Sequence, residues 1–378
     1  MFEFFPGHYR WSYNTLLAFA AGAQLGDFAL IAPELGRRVG DDDAWHREWA
    51  RLAGVLERRA QEGSRFTAAE NYFLASLYHT ISEHFLPPGS PQRLASYREV
   101  LRSFDLGRAA SPHPVERVEI PYEGKTLPAY WVPADGAEAP AAGARHGRPA
   151  VIFICGLDTT KELWYLRARR QMAERGVASL FIDTPGIGEA LRLRNLVTRH
   201  DYEKPVAAAI DWLAGREDVD SGRIGIVGSS LGGYYVARAA ACEPRLKAAV
   251  AWGAIYDYHR VWVQRMEGSG AVAAPRFQLM FITGTSTMEA AIEKVRDFKV
   301  APFAGRIRCP FLVMHGAEDQ QVSLDDARAM YDAIGAADKE LVIFDGLNGG
   351  AAHTQFDNHL PALQICADWL ARKLGTQE

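Results

Sequence analysis

A Gly-x-Ser-x-Gly pattern at 228–232 contains the serine best suited to act as a nucleophile, Ser230. The apolar run at 223–227 predicts a buried strand before the pattern, and the small residues at 231–242 favour a helix after it. A sharp turn from strand to helix needs small residues beside the serine, because larger side chains would collide with both elements. Such a turn lifts the serine hydroxyl clear of the sheet, where it can attack a carbonyl carbon.

Two other interpretations of this pattern remain open. A glycine-rich turn after a strand can be purely structural, since five residues with two glycines also occur by chance. A phosphate-binding loop fits less well, because no Gly-Lys-Ser/Thr follows and the spacing differs from G-x-G-x-x-G. The strand before the pattern and the helix after it favour the nucleophile.

A serine hydroxyl is a poor nucleophile at neutral pH, so it needs a base, and the base needs an orienting carboxylate. With this type of turn, the partners follow in the chain order serine, aspartate or glutamate, histidine. Asp319 lies just after the predicted strand 311–315, with Glu318 as its immediate competitor. His353 lies in the loop after the last predicted strand. We therefore predict Ser230, Asp319 and His353 as the catalytic residues.

Two further histidines are weaker candidates for the base. His359 falls inside the predicted last helix, which favours a structural or surface role. His315 lies at the end of a predicted strand, where a hydrogen-bonded core histidine is the more common outcome.

Attack on a carbonyl creates an oxyanion, which requires two N–H donors. The first expected donor is the backbone N–H of Leu231, the residue after the nucleophile. The loop after the first parallel strand normally supplies the second. In this chain we expect the N–H of Leu157, with that of Gly156 as the alternative.

An insertion from about 254 to 308 is expected to fold over the site as a lid. Tyr256, Asp257 and Trp262 near its start are candidate substrate-binding residues, although aromatic side chains in a lid more often form its core. Asp158 is a fourth candidate. Its alternative role is to fix its own loop through the neighbouring polar residues.

The segments that must position these residues alternate between strand and helix. Strands are predicted at 115–122, 126–132, 151–155, 177–183, 223–227, 248–252, 311–315 and 341–345. The first two form a hairpin, and an Ala/Gly/Pro-rich loop at 134–148 follows it. Helices are predicted between the later strands, which implies a mostly parallel sheet covered on both faces.

The first 110 or so residues are predicted to be helical, without strands. Thr67 to Glu70 has the pattern of a capping box at a helix start. We therefore predict an N-terminal helical cap at 1–110 and an α/β core at 111–378. Within the core, the arginines at 167, 169 and 170 are expected on the solvated face of a helix.

Composition narrows the function further. The chain has 378 residues, of which 48% are hydrophobic and 23% charged, as in an ordinary globular protein. A net charge of −4 gives no reason to expect a nucleic acid or an acidic membrane as partner.

The four cysteines lack metal-binding spacing, so we expect reduced thiols, a cytoplasmic location and neither metal nor cofactor. The apolar segment at 16–24 is too short for a signal peptide, and no run approaches the ~20 residues that span a bilayer.

Five segments together resemble the 2,6-dihydroxypseudooxynicotine hydrolase group and the related fungal yellowish-green polyketide-shortening hydrolases: 228–235, 241–248, 252–257, 315–319 and 351–355. The resemblance covers roughly residues 115–375. It implies an α/β-hydrolase fold with a mostly parallel eight-stranded sheet, an N-terminal helical cap and a Ser-Asp-His triad at the same three residues. Cys155 departs from the pattern, because such loops often carry glycine there.

The resemblance also implies hydrolysis of a carbon–carbon bond next to a ketone. A carbon leaving group must depart as a stabilised carbanion or be protonated as it leaves, and protonated His353 is the obvious donor. We expect a small aromatic substrate and a possible homodimer. The closest alternative is a carboxylesterase or lactonase with the same triad. A binding protein without activity is the alternative from another class.

Overall fold

The structure is a computed structural model that describes residues 1–135, 147–268 and 270–376. Most of the Ala/Gly/Pro-rich loop predicted at 134–148 lies outside the described residues. The chain forms two compact units. The first comprises Met1–Val115 and Val272–Gln278, and the second comprises Glu116–Ala271 and Leu279–Glu378.

The first unit is helical throughout its described elements. Its helices are α1 (Tyr9–Ala20), α2 (Leu25–Ala29), α3 (Ala32–Arg37), α4 (Asp42–Glu62), α5 (Arg65–Glu83) and α6 (Pro91–Ala110). Ser90 precedes α6 and Pro91 opens it, where the fixed φ of proline suits the first turn.

Aromatic side chains fill the core of the first unit. The indole of Trp45 lies 5.0 Å from that of Trp11 and 5.7 Å from that of Trp49, measured between ring centroids. The segment Val272–Gln278 joins this unit through buried polar contacts. Arg93 donates to Glu83 at 2.8 Å and to Gln278 at 2.9 Å. The predicted roles of the helices as a cap and of 254–308 as a lid stay predictions.

The second unit is built on one sheet with helices between its strands. Its strands are β1 (Glu116–Tyr122), β2 (Lys125–Val132), β3 (Arg148–Ile154), β4 (Ala178–Ile182), β5 (Val219–Ser229), β6 (Leu246–Trp252), β7 (Phe311–Gly316) and β8 (Lys339–Phe344). The remaining α-helices of the described residues are α7 (Lys161–Ala173), α8 (Gly188–Arg192), α9 (Glu203–Ala214), α10 (Leu231–Cys242), α11 (Tyr258–Met266), α12 (Phe277–Thr283), α13 (Met288–Lys294), α14 (Leu324–Ala333) and α15 (His359–Lys373). The first two residues of α12 belong to the first unit. Among the described residues, two 3₁₀ helices span Ala304–Arg306 and His353–Gln355.

The strand order in the sheet is β1-β2-β4-β3-β5-β6-β7-β8. The pairs β1–β2 and β2–β4 are antiparallel, and every other neighbouring pair is parallel. The central strands are buried on both faces, as the near-continuous apolar runs predicted. The predicted α/β-hydrolase fold with a mostly parallel eight-stranded sheet is confirmed.

Parallel pairing brings the carboxyl ends of β5, β6, β7 and β8 to the same edge of the sheet. Ser229, the last residue of β5, lies opposite Trp252, the last residue of β6. The loops that leave these strand ends carry the predicted site residues, which is the usual location of a ligand site in such a sheet.

The prediction of a solvated arginine face on α7 is wrong for Arg167. Arg170 is exposed, but Arg167 is buried, with its guanidinium 4.3 Å from the ring centroid of Trp164 and 4.6 Å from that of Phe356. A planar guanidinium stacks on aromatic faces more readily than a lysine ammonium does. This stacking explains why the charged side chain of Arg167 can be buried between aromatic rings.

Within the described ranges, no helix combines the length and the apolar character needed to cross a membrane. The four cysteines are free thiols; Cys155 and Cys366 are buried, and Cys242 and Cys309 are partly exposed.

Candidate active site

Ser230 lies in a strained backbone conformation between β5 and α10. Its φ and ψ are 58° and −120°, a region that non-glycine residues rarely adopt. Two backbone hydrogen bonds hold it there. The Ser230 N–H donates to the carbonyl of Trp252 at 2.7 Å, and the Gly233 N–H donates to the carbonyl of Ser230 at 2.8 Å. Strain of this kind persists where the surroundings determine the conformation, and it is concentrated at functional sites.

The two glycines of the pattern are required by close backbone approach. A Cβ on Gly228 would lie 2.4 Å from the carbonyl oxygen of Gly232. A Cβ on Gly232 would lie 2.8 Å from the carbonyl oxygen of Ile154 and 2.9 Å from that of Cys155. Real Cβ atoms essentially never come this close to backbone oxygens, so larger residues would force the turn apart.

Gly228→Ala is therefore expected to destabilise the protein by about 1–3 kcal/mol, because the backbone must shift to accommodate the added carbon. Gly36→Ala is the matched control. Gly36 lies in α3 with open space around its Cβ position, so the same substitution should leave the melting temperature unchanged or slightly higher. Thermal unfolding measures both. A wild-type melting temperature for Gly228→Ala would contradict the packing of this turn.

Two hydrogen bonds join the three residues predicted as catalytic. Ser230 Oγ lies 2.8 Å from His353 Nε2, and His353 Nδ1 lies 2.6 Å from Asp319 Oδ2. The second carboxylate oxygen of Asp319 accepts the N–H groups of Gln321 at 2.8 Å and Val322 at 3.0 Å. The carboxylate is thus fixed in place by its own loop, and it orients the imidazole toward the serine.

The Asp319 side chain is fully buried. Burial alone would raise the pKa of its carboxyl, but the charge and hydrogen bond of His353 outweigh burial, so the pKa lies below its usual value. The side chain is therefore ionised at neutral pH, the state that can stabilise an imidazolium on His353.

The rival candidates lie outside this hydrogen-bonded chain. Glu318 is exposed. His359 is buried, and its Nε2 accepts a hydrogen bond from Arg167 Nε at 3.1 Å. Burial and the charge of Arg167 hold the pKa of His359 well below its ordinary value, so it stays neutral. His315 is a buried core residue whose Nε2 lies 3.1 Å from the carbonyl oxygen of Val322 and 3.4 Å from Asp319 Oδ2, so it flanks the orienting carboxylate.

The loop after β3 lies against the nucleophile turn. A Cβ on Gly156 would be 3.2 Å from Ser230 Cβ and 3.7 Å from the backbone nitrogen of Leu231. The Gly156 N–H itself donates to Thr159 Oγ1 at 3.0 Å. The Gly156 N–H is thus engaged within its loop, and the choice between Leu157 and Gly156 as the second oxyanion donor stays a prediction.

The candidate substrate-binding residues occupy different environments. Asp158 and Tyr256 are partly exposed, and Trp262 is buried in α11. The Asp257 carboxylate caps α11 by accepting the Arg260 N–H at 2.9 Å. The Asp257 carboxylate therefore has a structural role as the N-cap of α11. Substrate contacts by these four residues stay predictions.

Sequence reasoning missed the residues that support the base. Gln355, two positions after His353, accepts a hydrogen bond from the indole N–H of Trp252 and donates from Nε2 to the carbonyl of Ala352 at 3.0 Å. The carboxylate of Asp357 accepts the N–H groups of Ala351 and Ala352. The only sequence signal that could have indicated Gln355 and Asp357 is that both are polar residues shortly after the candidate base.

Among the described residues, one group could offer metal ligands: Glu57, His79 and Glu99 in the first unit. The guanidinium of Arg102 already pairs with both carboxylates, at 2.7 Å from Glu57 and 2.6 Å from Glu99. His79 hydrogen-bonds Glu57 and, as the largest cause, lowers the pKa of that carboxyl to about 2. This arrangement is a salt-bridge network in which the positive charge is supplied by the guanidinium of Arg102.

Comparison with known proteins gives consistent matches. A family described as "Esterase FrsA-like" matches residues 26–326. The hydrolase acrC of Aspergillus aculeatus is 34% identical over 288 residues, covering 71% of this chain and 67% of the relative. The 2,6-dihydropseudooxynicotine hydrolase of Paenarthrobacter nicotinovorans is 28% identical over 307 residues, covering 79% of this chain and 77% of the relative.

The fold also matches a solved structure along nearly its whole length. The crystal structure of a 2,6-dihydroxy-pseudo-oxynicotine hydrolase superimposes with a TM-score of 0.81, covering 96% of each chain at 24% identity. At that identity the likeness describes the fold.

Proposed function

The chain belongs to the FrsA-like esterase family of α/β-hydrolases, and on that premise we propose that it is a serine hydrolase that cleaves a carbon–carbon bond next to a ketone. Ser230 is the nucleophile, His353 the acid–base residue and Asp319 the orienting carboxylate. The pair of hydrogen bonds from Ser230 Oγ to His353 Nε2 and from His353 Nδ1 to Asp319, at 2.8 and 2.6 Å, carries the serine-hydrolase part of the proposal. The carbon–carbon part rests on the similarity to the 2,6-dihydropseudooxynicotine hydrolase.

In the first step, Ser230 Oγ forms a bond to the ketone carbon while its proton moves to His353 Nε2. The carbonyl oxygen becomes an oxyanion, which accepts hydrogen bonds from the N–H groups of Leu231 and Leu157. Such donors each contribute about 10²–10³ in turnover in related chemistry. Asp319 remains ionised and stabilises the imidazolium.

In the second step, the oxyanion collapses and the carbon–carbon bond breaks. The electron pair leaves with the departing carbon, which takes the proton from His353. The acyl group stays on Ser230 as an ester. Water then attacks that ester with His353 as base, releasing a carboxylic acid and restoring the serine.

The leaving group restricts the substrate class. An alkoxide leaves readily, whereas a carbanion needs delocalisation into an electron-rich aromatic ring or a β-dicarbonyl unit. We therefore propose aryl ketones or β-diketones as substrates. Asp158, Tyr256, Asp257 and Trp262 are the candidate substrate-binding residues, and a homodimer in the cytoplasm is the proposed working form.

Product analysis in deuterated water tests the reaction class. A panel of aryl ketones, β-diketones, aryl esters and lactones is incubated with the enzyme. Carbon–carbon cleavage should give a carboxylic acid and leave at least one deuterium on the carbon that departed. Activated aryl esters should be hydrolysed too, because their leaving groups are better.

The alternative is a carboxylesterase or lactonase with the same three residues, and the family description favours it. Ester and ketone form the oxyanion in the same place, so the hydrogen-bonded residues serve both. If every ketone in the panel stays intact while ordinary esters or lactones are hydrolysed efficiently, the carbon–carbon proposal is wrong and the esterase takes its place.

A further inference from the structure

Trp252 contacts both halves of the candidate catalytic machinery. Its backbone carbonyl accepts the N–H of Ser230 at 2.7 Å. Its indole N–H donates to Oε1 of Gln355, in the same 3₁₀ helix as His353. One buried residue at the end of β6 thus connects the nucleophile turn to the loop that carries the base.

Gln355 completes this connection with its other amide atom. Nε2 donates to the carbonyl of Ala352, the residue before His353, at 3.0 Å. The amide orientation follows from the partners, because an indole N–H can only donate and a carbonyl can only accept. Both functional atoms of Gln355 are therefore used, and its side chain is buried.

The backbone after His353 is strained. Among the described residues, five non-glycine residues have positive φ, and Ser230, Thr354 and Gln355 are three of them. A β-branched residue such as Thr354, at φ 53°, is particularly unfavourable in this region. A conformation of this kind persists only where side chains and neighbouring backbone enforce it. The buried amide of Gln355 is positioned to do so.

Gly253 provides the space that this arrangement needs. A Cβ at that position would lie 2.9 Å from Thr354 Cγ2 and 3.3 Å from His353 Cε1. Its φ of 69° also suits glycine. The backbone at Gly253 therefore lies close to both the Thr354 side chain and the imidazole of His353.

The indole of Trp252 also packs against His359 and lies near Arg167. The imidazole of His359 stacks on it with ring centroids 5.1 Å apart and an interplanar angle of 13°. Arg167 donates to that imidazole at 3.1 Å, and its guanidinium lies 5.8 Å from the Trp252 ring centroid. Neutral His359 thus serves as a packing partner for Trp252.

We propose that Gln355 and Trp252 are positioning residues that hold His353 Nε2 at hydrogen-bond distance from Ser230 Oγ. The inference rests on the proposed function. Without the Gln355 amide, the strained turn relaxes and the imidazole moves away from the serine, while Asp319 and the oxyanion donors stay in place. Gln355 acts through His353, and it does not need to touch the substrate.

The test measures the rate at which a fluorophosphonate probe modifies Ser230 at several pH values, together with the melting temperature. Gln355→Leu should react about 10–100-fold more slowly than wild type, the loss expected when a reacting group moves by about 1 Å. Trp252→Phe should slow the reaction in the same direction. Gln355→Glu, which can still accept the indole N–H but cannot donate to Ala352, is the second variant if Gln355→Leu fails to fold.

Trp369→Phe is the matched control. Trp369 is also buried and also donates its indole N–H to a side chain, Glu340 Oε1 at 2.7 Å, but it lies on α15 beside β8. It should lose comparable stability and yet react within about twofold of wild type, since distant sites act independently.

The outcomes separate the two proposals. If wild-type protein reacts at Ser230 but the folded Gln355 and Trp252 variants react as fast as Trp369→Phe, the positioning role is wrong and the proposed nucleophile stands. If wild-type protein does not react at Ser230, the proposed function itself fails. Slow reaction of the Gln355 and Trp252 variants, with a changed pH profile and a control that reacts normally, supports the inference.

Discussion

Ser230→Ala is expected to lower turnover by about 10³-fold or more while leaving the fold intact. The hydroxyl makes its hydrogen bond at a partly exposed position, so its removal opens no large core cavity. Without it, no covalent intermediate can form. The remaining oxyanion donors and substrate binding would still give slight activity above the uncatalysed reaction.

Ser229→Ala is the matched control for this prediction. Ser229 is the neighbouring serine in the same pattern, but it lies at the end of β5 and is buried. Its variant should retain most activity. Steady-state kinetics on one substrate compares the two variants, with circular dichroism to check the fold. More than about a tenth of wild-type activity in Ser230→Ala would rule out Ser230 as the nucleophile.

Asp319→Asn is the second change with a large expected effect. The amide keeps the shape of the carboxylate, but it cannot stabilise the imidazolium and it favours the wrong tautomer of His353. The corresponding change in a well-studied serine protease triad lowers turnover by about 10⁴-fold, and we expect a loss of about 10³–10⁴ here.

Glu318→Gln is the control for the acid role. Glu318 precedes Asp319 directly but is exposed to solvent, so the same carboxylate-to-amide change should leave turnover nearly unchanged. Turnover of both variants is measured on the same substrate. A mild effect of Asp319→Asn combined with a large effect of Glu318→Gln would transfer the acid role to Glu318.

Asp319 also links the site to stability at low pH. Its folded-state pKa is lowered, so its ionisation stabilises the folded protein above the pKa of the unfolded chain. That contribution is lost as the pH falls through the folded-state pKa. The carboxylate that orients His353 therefore also contributes to acid stability.

Local patterns were sufficient to predict the sheet. Each of the eight predicted strands overlaps a strand of the sheet, although β5 begins at Val219, four residues earlier than predicted, and the order of the loops led to Ser230, Asp319 and His353. The sequence also placed one helix start incorrectly. The capping box predicted at Thr67–Glu70 is inside α5, which begins at Arg65 with Ser64 as its cap. Ser64 accepts the N–H of Thr67, so two polar residues three positions apart were both candidates for the cap.

Contacts between distant segments could not be predicted in this way. Lys161 is fully buried with its ammonium 3.0 Å from Asp183, 3.1 Å from Glu189 and 2.7 Å from Glu162. Nothing in the local pattern of α7 indicates Asp183, which follows β4, or Glu189, which lies in α8. Arg167 was assigned to solvent for the same reason, because its aromatic neighbours Trp252 and Phe356 lie far away in the chain.

The left-handed residues after His353 are a third example. Threonine and glutamine favour other backbone regions, so local propensity argues against the conformation that Thr354 and Gln355 adopt. We attribute this backbone conformation instead to the hydrogen bond from the Trp252 indole to Gln355 and to the absence of a side chain at Gly253. Tertiary contacts override local preference at this point.

Mass spectrometry after reaction with a fluorophosphonate probe tests the central claim most directly. The probe reacts fastest with a serine that is activated by a neighbouring base. We predict one adduct per chain, located by peptide mapping on Ser230 and absent from Ser230→Ala and His353→Ala. An unmodified wild-type protein, or an adduct on another residue that persists in Ser230→Ala, would contradict the proposed serine hydrolase.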